Sequence, residues 1–306
     1  MKLRKKDIQI LVWSLVRLTL LIGFSFIILY PLIIKFSTSL MSEMDLFDLT
    51  VKWIPRHFNL TSVFYRYIDV ARTMEYPRAF SNSMILSLLV SCFQLIICTI
   101  VGYGFGRFEF KGKNFFFALV ILTLLVPPQM IMIPLFFNFR FFDFFGLMQG
   151  GGFNLIGSYW PFFLTVLTAT GFRNGLYIFI AKQQFTGMPS SLEEAAYIDG
   201  AGQIKTFYKI MLPGAVPALI IIFLFSFVWQ WNDTLLVSMY LRKEAVLLPF
   251  TLRDLWYAFY LRDYSSEYIS IVNNTGLLLF MAPLLLLYAF VQRYFIESVE
   301  RTGIVG

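Results

Sequence analysis

The chain has 306 residues, of which 58% are hydrophobic, 19% aromatic and only 14% charged. Soluble domains carry about a quarter charged residues and roughly 45–50% apolar ones, so a water-soluble enzyme and a disordered chain are both excluded. The formal net charge of +7 is dispersed between long apolar runs, which fits positive-inside topology and anionic lipid better than nucleic acid.

Read in chain order, the basic start from Met1 to Lys6 leads into an apolar stretch with no small-residue cleavage site after it, so a retained start-transfer helix is expected. Charge-free runs then cover 18–34, 79–106, 114–139, 144–172, 210–232 and 268–292. About 20 apolar residues span a bilayer as a helix, and these runs reach or approach that length. They predict an all-α polytopic membrane protein with six transmembrane helices near 11–34, 79–106, 114–138, 158–182, 213–235 and 269–293, forming one domain over 1–306. Lys2, Arg4, Lys5 and Lys6 before the first helix, and Arg107, Lys111 and Lys113 between the second and third, place both of those segments, and hence both termini, in the cytoplasm. The longer outer segments are then 35–78 and 233–267, with a glycine-rich one near 139–157 that carries Gly150, Gly151 and Gly152.

Individual residues refine the helices. Cys92 and Cys98 fall in one run without facing each other, which predicts small buried side chains and no disulfide. His57 is the only histidine, so a histidine metal site or catalytic triad has little material. Gly102 and Gly106 form a Gly-x-x-x-Gly pair suited to close helix packing. Pro127-Pro128 must kink the third helix. Arg173, Asn174 and Gly175 place polarity about 15 residues into the fourth, where arginine must face protein or water. It would contact solute, especially an acidic sugar, line the inner exit or pair with a partner subunit. Trp229, Trp231, Asn232 and Asp233 near the outer end of the fifth helix fit an interfacial aromatic belt as well as solute stacking.

The cytoplasmic loop 186–213 is the most informative segment. Ser190 with Glu193, and Ser191 with Glu194, have capping-box spacing, which predicts a short helix after Pro189. Gly200 is placed to end that helix in a left-handed conformation, with a second helix from Gln203 to Pro213. A coupling helix-turn-helix at the membrane surface between helices four and five, with Ala195 and Ala196 reducing the bulk of one face, would dock into a groove on another protein.

Glu194-Ala195-Ala196, three residues, Gly200, nine residues, Ile210, one residue and Leu212-Pro213 resemble the signature of the permease subunits of bacterial binding-protein-dependent ABC importers. Tyr197 to Ala201, Phe227 to Asp233 and Gly102 to Phe108 resemble the carbohydrate-uptake branch, which includes the smaller permease of the maltose transporter. Departures lie at Gln149–Phe153 and at Arg173 to Gly175. The resemblance implies import of a carbohydrate, an oligosaccharide or sugar derivative, with ATPase coupling through Glu193, Glu194, Ala195, Ala196, Asp199, Gly200, Ile210, Leu212 and Pro213. It implies as partners a second homologous permease subunit, two ABC ATPase subunits and an extracellular solute-binding protein. The candidate substrate pathway comprises Arg173, Asn174, Trp229, Trp231, Asn232 and Asp233. The resemblance also implies that the tail from Glu297 to Gly306, with Gly303, reaches the ATPase interface. No phosphate-binding loop is present, since Gly112-Lys113 is followed by Asn114, so ATP and Mg belong to the partner ATPases. No catalytic, cofactor or metal site is expected in this chain. The rival reading is an importer permease for a non-sugar solute. A secondary transporter is disfavoured, because Arg173 is the one clearly ionisable residue read inside a span. An intramembrane enzyme is disfavoured because the spans lack carboxylate pairs and nucleophiles.

Overall fold

The computed structural model describes residues 5–48, 50–143, 146, 152–241 and 245–303. Lys2, Arg4, Gly150, Gly151 and the last three residues of the tail lie outside the described residues, as do the side chains of Lys5, Lys6 and 294–303. The described residues are helical and form no strand; one isolated antiparallel bridge joins Phe142 and Phe153. The helices are α1 Lys5–Leu40, α2 Glu43–Phe47, α3 Leu60–Thr73, α4 Tyr76–Arg107, α5 Lys113–Leu125, α6 Pro128–Arg140, α7 Trp160–Leu167, α8 Asn174–Gly187, α9 Ser191–Ile198, α10 Gln203–Thr206, α11 Leu212–Gly214, α12 Val216–Trp231, α13 Leu235–Tyr240, α14 Leu248–Tyr260 and α15 Ser266–Gly303. A π-helical turn, Phe207–Met211, joins α10 to α11.

Among the described residues three helices are long and apolar enough to cross a membrane unbroken: Leu11–Leu40, Tyr76–Arg107 and Ser266–Arg293. Two bent pairs add to these, Lys113–Leu125 with Pro128–Arg140 at 103° and Gln203–Gly214 with Val216–Trp231 at 75°. The prolines explain the first bend. Residues preceding proline are driven out of the helical region, and both Val126 (ψ 117°) and Pro127 (ψ 132°) are extended. Pro128 then opens a new helix at its first turn, where proline costs nothing. The expected kink is thus a complete break.

The predicted continuous helix over 158–182 is corrected. It is divided into α7 and α8, with 168–173 between them. Thr165, Thr168 and Thr170 are β-branched and bond local backbone, Gly171 is a poor helix former, and Ala169 sits at a left-handed φ of 58°. The amides of Thr170 and Gly171 both fold back onto the Thr165 carbonyl. Arg173 therefore caps the start of α8 instead of lying deep in an unbroken helix.

The chain divides into two compact units. In the one formed by Met1–Tyr76 and Thr251–Pro283, Arg66 donates to the Met41 carbonyl at 2.7 Å, Glu43 accepts from Ser265 at 2.6 Å and Asp69 pairs with Arg262 at 3.5 Å. Asp45, fully buried, accepts from the amides of Ser42, Arg56 and His57 at 3.1–3.2 Å and meets His57 Nδ1 at 2.9 Å.

The other unit holds apolar cores of buried side chains. One gathers Leu86, Val90, Phe139, Phe162, Val166 and Tyr240; the other gathers Cys98, Tyr103, Tyr177, Phe185, Met211 and Ile222. Gly102 and Gly106 let α4 press on α8: a Cβ on Gly102 would lie 2.4 Å from the Ala181 Cβ, and one on Gly106 3.0 Å from that of Phe185. Gly175 does the same for α5, where a Cβ would meet the Thr123 hydroxyl at 2.4 Å. Neither cysteine is bridged; Cys98 is buried as expected, whereas Cys92 is exposed.

Burial opposes charge on Asp45, yet its bonds to Ser42 and His57 outweigh this and hold its carboxyl near about 2, below the ordinary 3.8. A depressed folded value contributes stability that is complete above the ordinary value and lost as pH falls through the folded one. Amide-exchange protection of Arg56 and His57 should therefore be constant down to roughly pH 4 and collapse towards pH 2. Asp45→Asn should remove about 2 kcal/mol of that protection already at neutral pH.

Candidate functional site

The loop between α8 and α12 folds into a helical hairpin. Met188 is extended ahead of Pro189, which ends α8 and allows α9 to begin. The expected capping boxes do not form, because Ser190 is already helical (φ −64°, ψ −28°) and its hydroxyl caps nothing. Glu193 is drawn to α4 instead. Its carboxylate accepts from the Tyr103 hydroxyl at 2.9 Å, and the Arg107 Nε lies 3.2 Å away. Arg107 also donates to the Met188 carbonyl at 2.8 Å, so one guanidinium holds both the entry and the first turn of α9. The Arg107 and Glu193 side chains are 12% and 13% exposed, which shields the pair from the screening that weakens surface ion pairs.

Gly200 ends the helix at φ +76°, as its position predicts. The Gly200 amide bonds the Tyr197 carbonyl and the Ala201 amide bonds the Ala196 carbonyl, the two bonds of a Schellman motif. A Cβ on Gly200 would meet nothing within 4 Å, so the constraint is backbone angle, not space. The return arm is held by Phe207, whose ring lies 4.6 Å from that of Tyr103 and 6.3 Å from that of Phe185.

The two alanines part. Ala196 is buried and Ala195 faces outward beside Glu194 and Asp199, both exposed. Ile210 packs against the second core, Leu212 is half-buried and Pro213 sits exposed in the first turn of α11. The outward surface is unusually apolar for exposed loop helices: Ile198 is 85% exposed, Ile204 82% and Tyr208 69%. Large apolar side chains left exposed on a short loop helix suit a site of association.

A second feature lies where α7 breaks from α8. The Arg173 guanidinium stacks 4.7 Å from the centre of the Trp229 ring. Arg173, Trp229 and Asp233 line a small recess of about 40 Å³ together with Gln94, Tyr177 and Gln230. Asn174 is buried behind it, accepting from Gln94 at 2.9 Å, while Gln94 accepts in turn from Ser226. Asp233 accepts the Leu236 amide at 3.0 Å. The Asn174 and Gln230 amide nitrogens and one Asp233 oxygen are buried with no hydrogen-bond partner among the described residues. Such a surplus of unsatisfied groups belongs to a site that takes water or ligand.

Trp231 and Asn232 stand elsewhere. Trp231 is buried against Phe227 and Phe80, and Asn232 is exposed with its amide on the Val228 carbonyl. Gln94, Tyr177, Ser226 and Gln230 carry no charge, and an amide or hydroxyl in an otherwise apolar run is the only mark they leave in the sequence. Among the described residues no group of histidine, cysteine or carboxylate side chains could hold a metal.

The profile of the binding-protein-dependent transport system inner membrane component family matches residues 98–301. The chain is 29% identical to an arabinooligosaccharides transport system permease protein of Halalkalibacterium halodurans, over 99% of this chain and 100% of the relative. It is 30% identical to an osmoprotective compounds uptake permease protein of Synechocystis, over 75% and 73% respectively. It superposes with a TM-score of 0.73 on a bacterial ABC transporter involved in import of the acidic polysaccharide alginate, at 22% identity over 96% of this chain and 99% of that one.

The Arg107–Glu193 pair makes a quantitative prediction. In a double-mutant cycle of Arg107→Met and Glu193→Gln, unfolding of the purified chain should show a coupling energy of roughly 1–3 kcal/mol. Additive effects would mean that the pair does not fasten the hairpin.

Proposed function

Because the chain belongs to the binding-protein-dependent transport system inner membrane component family, we propose that it carries a carbohydrate into the cytoplasm, driven by ATPases docked on its α9–α10 hairpin. As a member of that family it is a multipass membrane subunit of an ABC importer. The observation that carries the coupling role is the hairpin itself. Its apolar tip residues face outward, its turn is fixed by Gly200, and its base is fastened to α4 through Glu193.

In this mechanism Glu194, Ala195, Asp199 and Gly200 lie at the ATPase surface, while Ala196, Ile210, Leu212 and Pro213 support them. ATP and Mg bind the two ATPase subunits. Their closure pushes the hairpin, and the Arg107–Glu193 pair passes the displacement to α4, whose Gln94 lines the recess. A second homologous permease completes the path, and an extracellular solute-binding protein delivers the sugar. The proposed topology is six crossings, with the pairs α5–α6 and α7–α8 each counted as one broken span and both termini cytoplasmic. Irregular backbone at membrane depth is tolerated where it lines a cavity, which suits the 168–173 break beside the recess.

Supporting a sugar as cargo is the similarity to transport system permeases for arabinooligosaccharides, for starch degradation products in Thermoanaerobacterium thermosulfurigenes and for galactooligosaccharides in Bacillus subtilis. The osmoprotective-compound relative supports the second reading, a non-sugar solute.

Gly200→Pro forces φ to about −65° where +76° is needed, and Glu194→Lys puts a cation at a helix N-terminus. Each should abolish uptake in proteoliposomes while the subunit still inserts and co-purifies with the second permease. Uptake at the wild-type rate in both would end the coupling role.

A further inference from the structure

Two opposite charges share the recess beside the break between α7 and α8. Arg173 and Asp233 are the charged side chains on its wall among the described residues, and the rest of the lining is neutral. Asp233 is only 7% exposed. One of its oxygens accepts the Leu236 amide at 3.0 Å, while the other is buried with no hydrogen-bond partner. An ionised carboxylate removed from water is costly unless a cation and hydrogen bonds compensate it.

Arg173 has the complementary need. It stands at the N-cap of α8, where its side chain caps nothing. A cation at that end opposes the helix macrodipole, whose N-terminal end is positive, so the helix itself gives no reason for an arginine. Its guanidinium lies 4.7 Å from the centre of the Trp229 ring, and that ring is itself stacked on Phe225 at 5.7 Å. Attraction to a ring face holds the guanidinium in place without neutralising it.

The space that the two charges share is about 40 Å³. At ~10–15 Å³ for each molecule it admits about three waters, and it is far too small for a sugar ring. The amide nitrogen of Gln230, buried and likewise without a partner, adds a donor to the same wall. Water can donate to the free Asp233 oxygen while accepting from Gln230 and Arg173, which satisfies all three groups together.

The backbone beside Arg173 needs such a support. Ala169 is held at a left-handed φ of 58°, and the amides of Thr170 and Gly171 both rely on the one Thr165 carbonyl. A non-glycine residue at that angle persists only where its surroundings hold it.

We propose that Arg173 and Asp233 form a water-bridged ion pair across this recess, and that the pair clamps the break at 168–173 to the end of α12. Arg173 is then a positioning residue and not a solute contact, whatever solute is carried. Each charge is needed because of the other.

The test is hydrogen-exchange mass spectrometry on the assembled transporter in nanodiscs without solute, following the Thr170 and Gly171 amides. Arg173→Met and Asp233→Asn should each speed their exchange about tenfold, the effect of one lost charged hydrogen-bonded contact. Asn keeps the size of Asp and an oxygen for the Leu236 amide, so its effect reads charge alone. The double variant should exchange no faster than either single one, because the second substitution removes a charge that has already lost its partner. Arg173→Lys, which keeps the charge, should stay within about threefold of wild type, since bridging water accommodates a change of shape. Multiplying effects in the double variant would overturn the pair, as would exchange that responds to one of the two single substitutions and not the other. Should a single variant fail to assemble, the double variant should recover assembly; its failure as well would equally overturn the proposal.

Discussion

The carboxylate of Glu193, held between the Tyr103 hydroxyl and the Arg107 guanidinium, fastens the hairpin to α4. An isolated helix of eight residues such as α9 has no independent stability, so it transmits displacement only if something fixes it to a longer element. Arg107 does so twice, through Glu193 and through the Met188 carbonyl. Phe207 closes the same corner from the return arm against Tyr103. The glycines of α4 bring α8 within van der Waals contact just beside it. Breaking the ion pair from one side would leave a poorly solvated charge, which is why removing a single partner costs more here than at an exposed pair.

The same helix joins the hairpin to the recess. α4 carries Tyr103 and Arg107 near its end, and Gln94 about two and a half turns before Tyr103, some 13 Å along the axis. Gln94 links Asn174 of α8 to Ser226 of α12 through its amide. A displacement of α4 therefore has to alter a buried polar network that already contains unsatisfied groups. Each group left unpaired in such a network carries a desolvation cost, so its geometry is sensitive to small shifts of the helix that holds it.

Sequence patterns foretold features governed by local rules. Long apolar runs yielded the unbroken helices α1, α4 and α15, because bilayer thickness sets a length that composition must meet. Gly200 was readable because a left-handed residue at a helix end is a demand on that residue alone. The capping box was not readable from spacing alone: Ser190 is already helical, and the Glu193 carboxylate is held by Arg107, which lies far upstream. The break at 168–173 was hidden inside a charge-free run, where only threonines and one glycine hinted at it. Trp229 and Trp231 looked equivalent in sequence, yet at two residues apart they point to different sides of α12. One meets Arg173 and the other meets Phe80.

The central claim is that the α9–α10 hairpin is the ATPase-docking surface. It is tested most directly by placing a photoreactive benzoyl-phenylalanine at Ile198, 85% exposed at the tip, and irradiating the assembled transporter. The account predicts a crosslink to an ATPase subunit that changes in yield between nucleotide-free and ATP-bound states. A crosslink to the extracellular binding protein, or none to the ATPase in a complex that still transports, would contradict it.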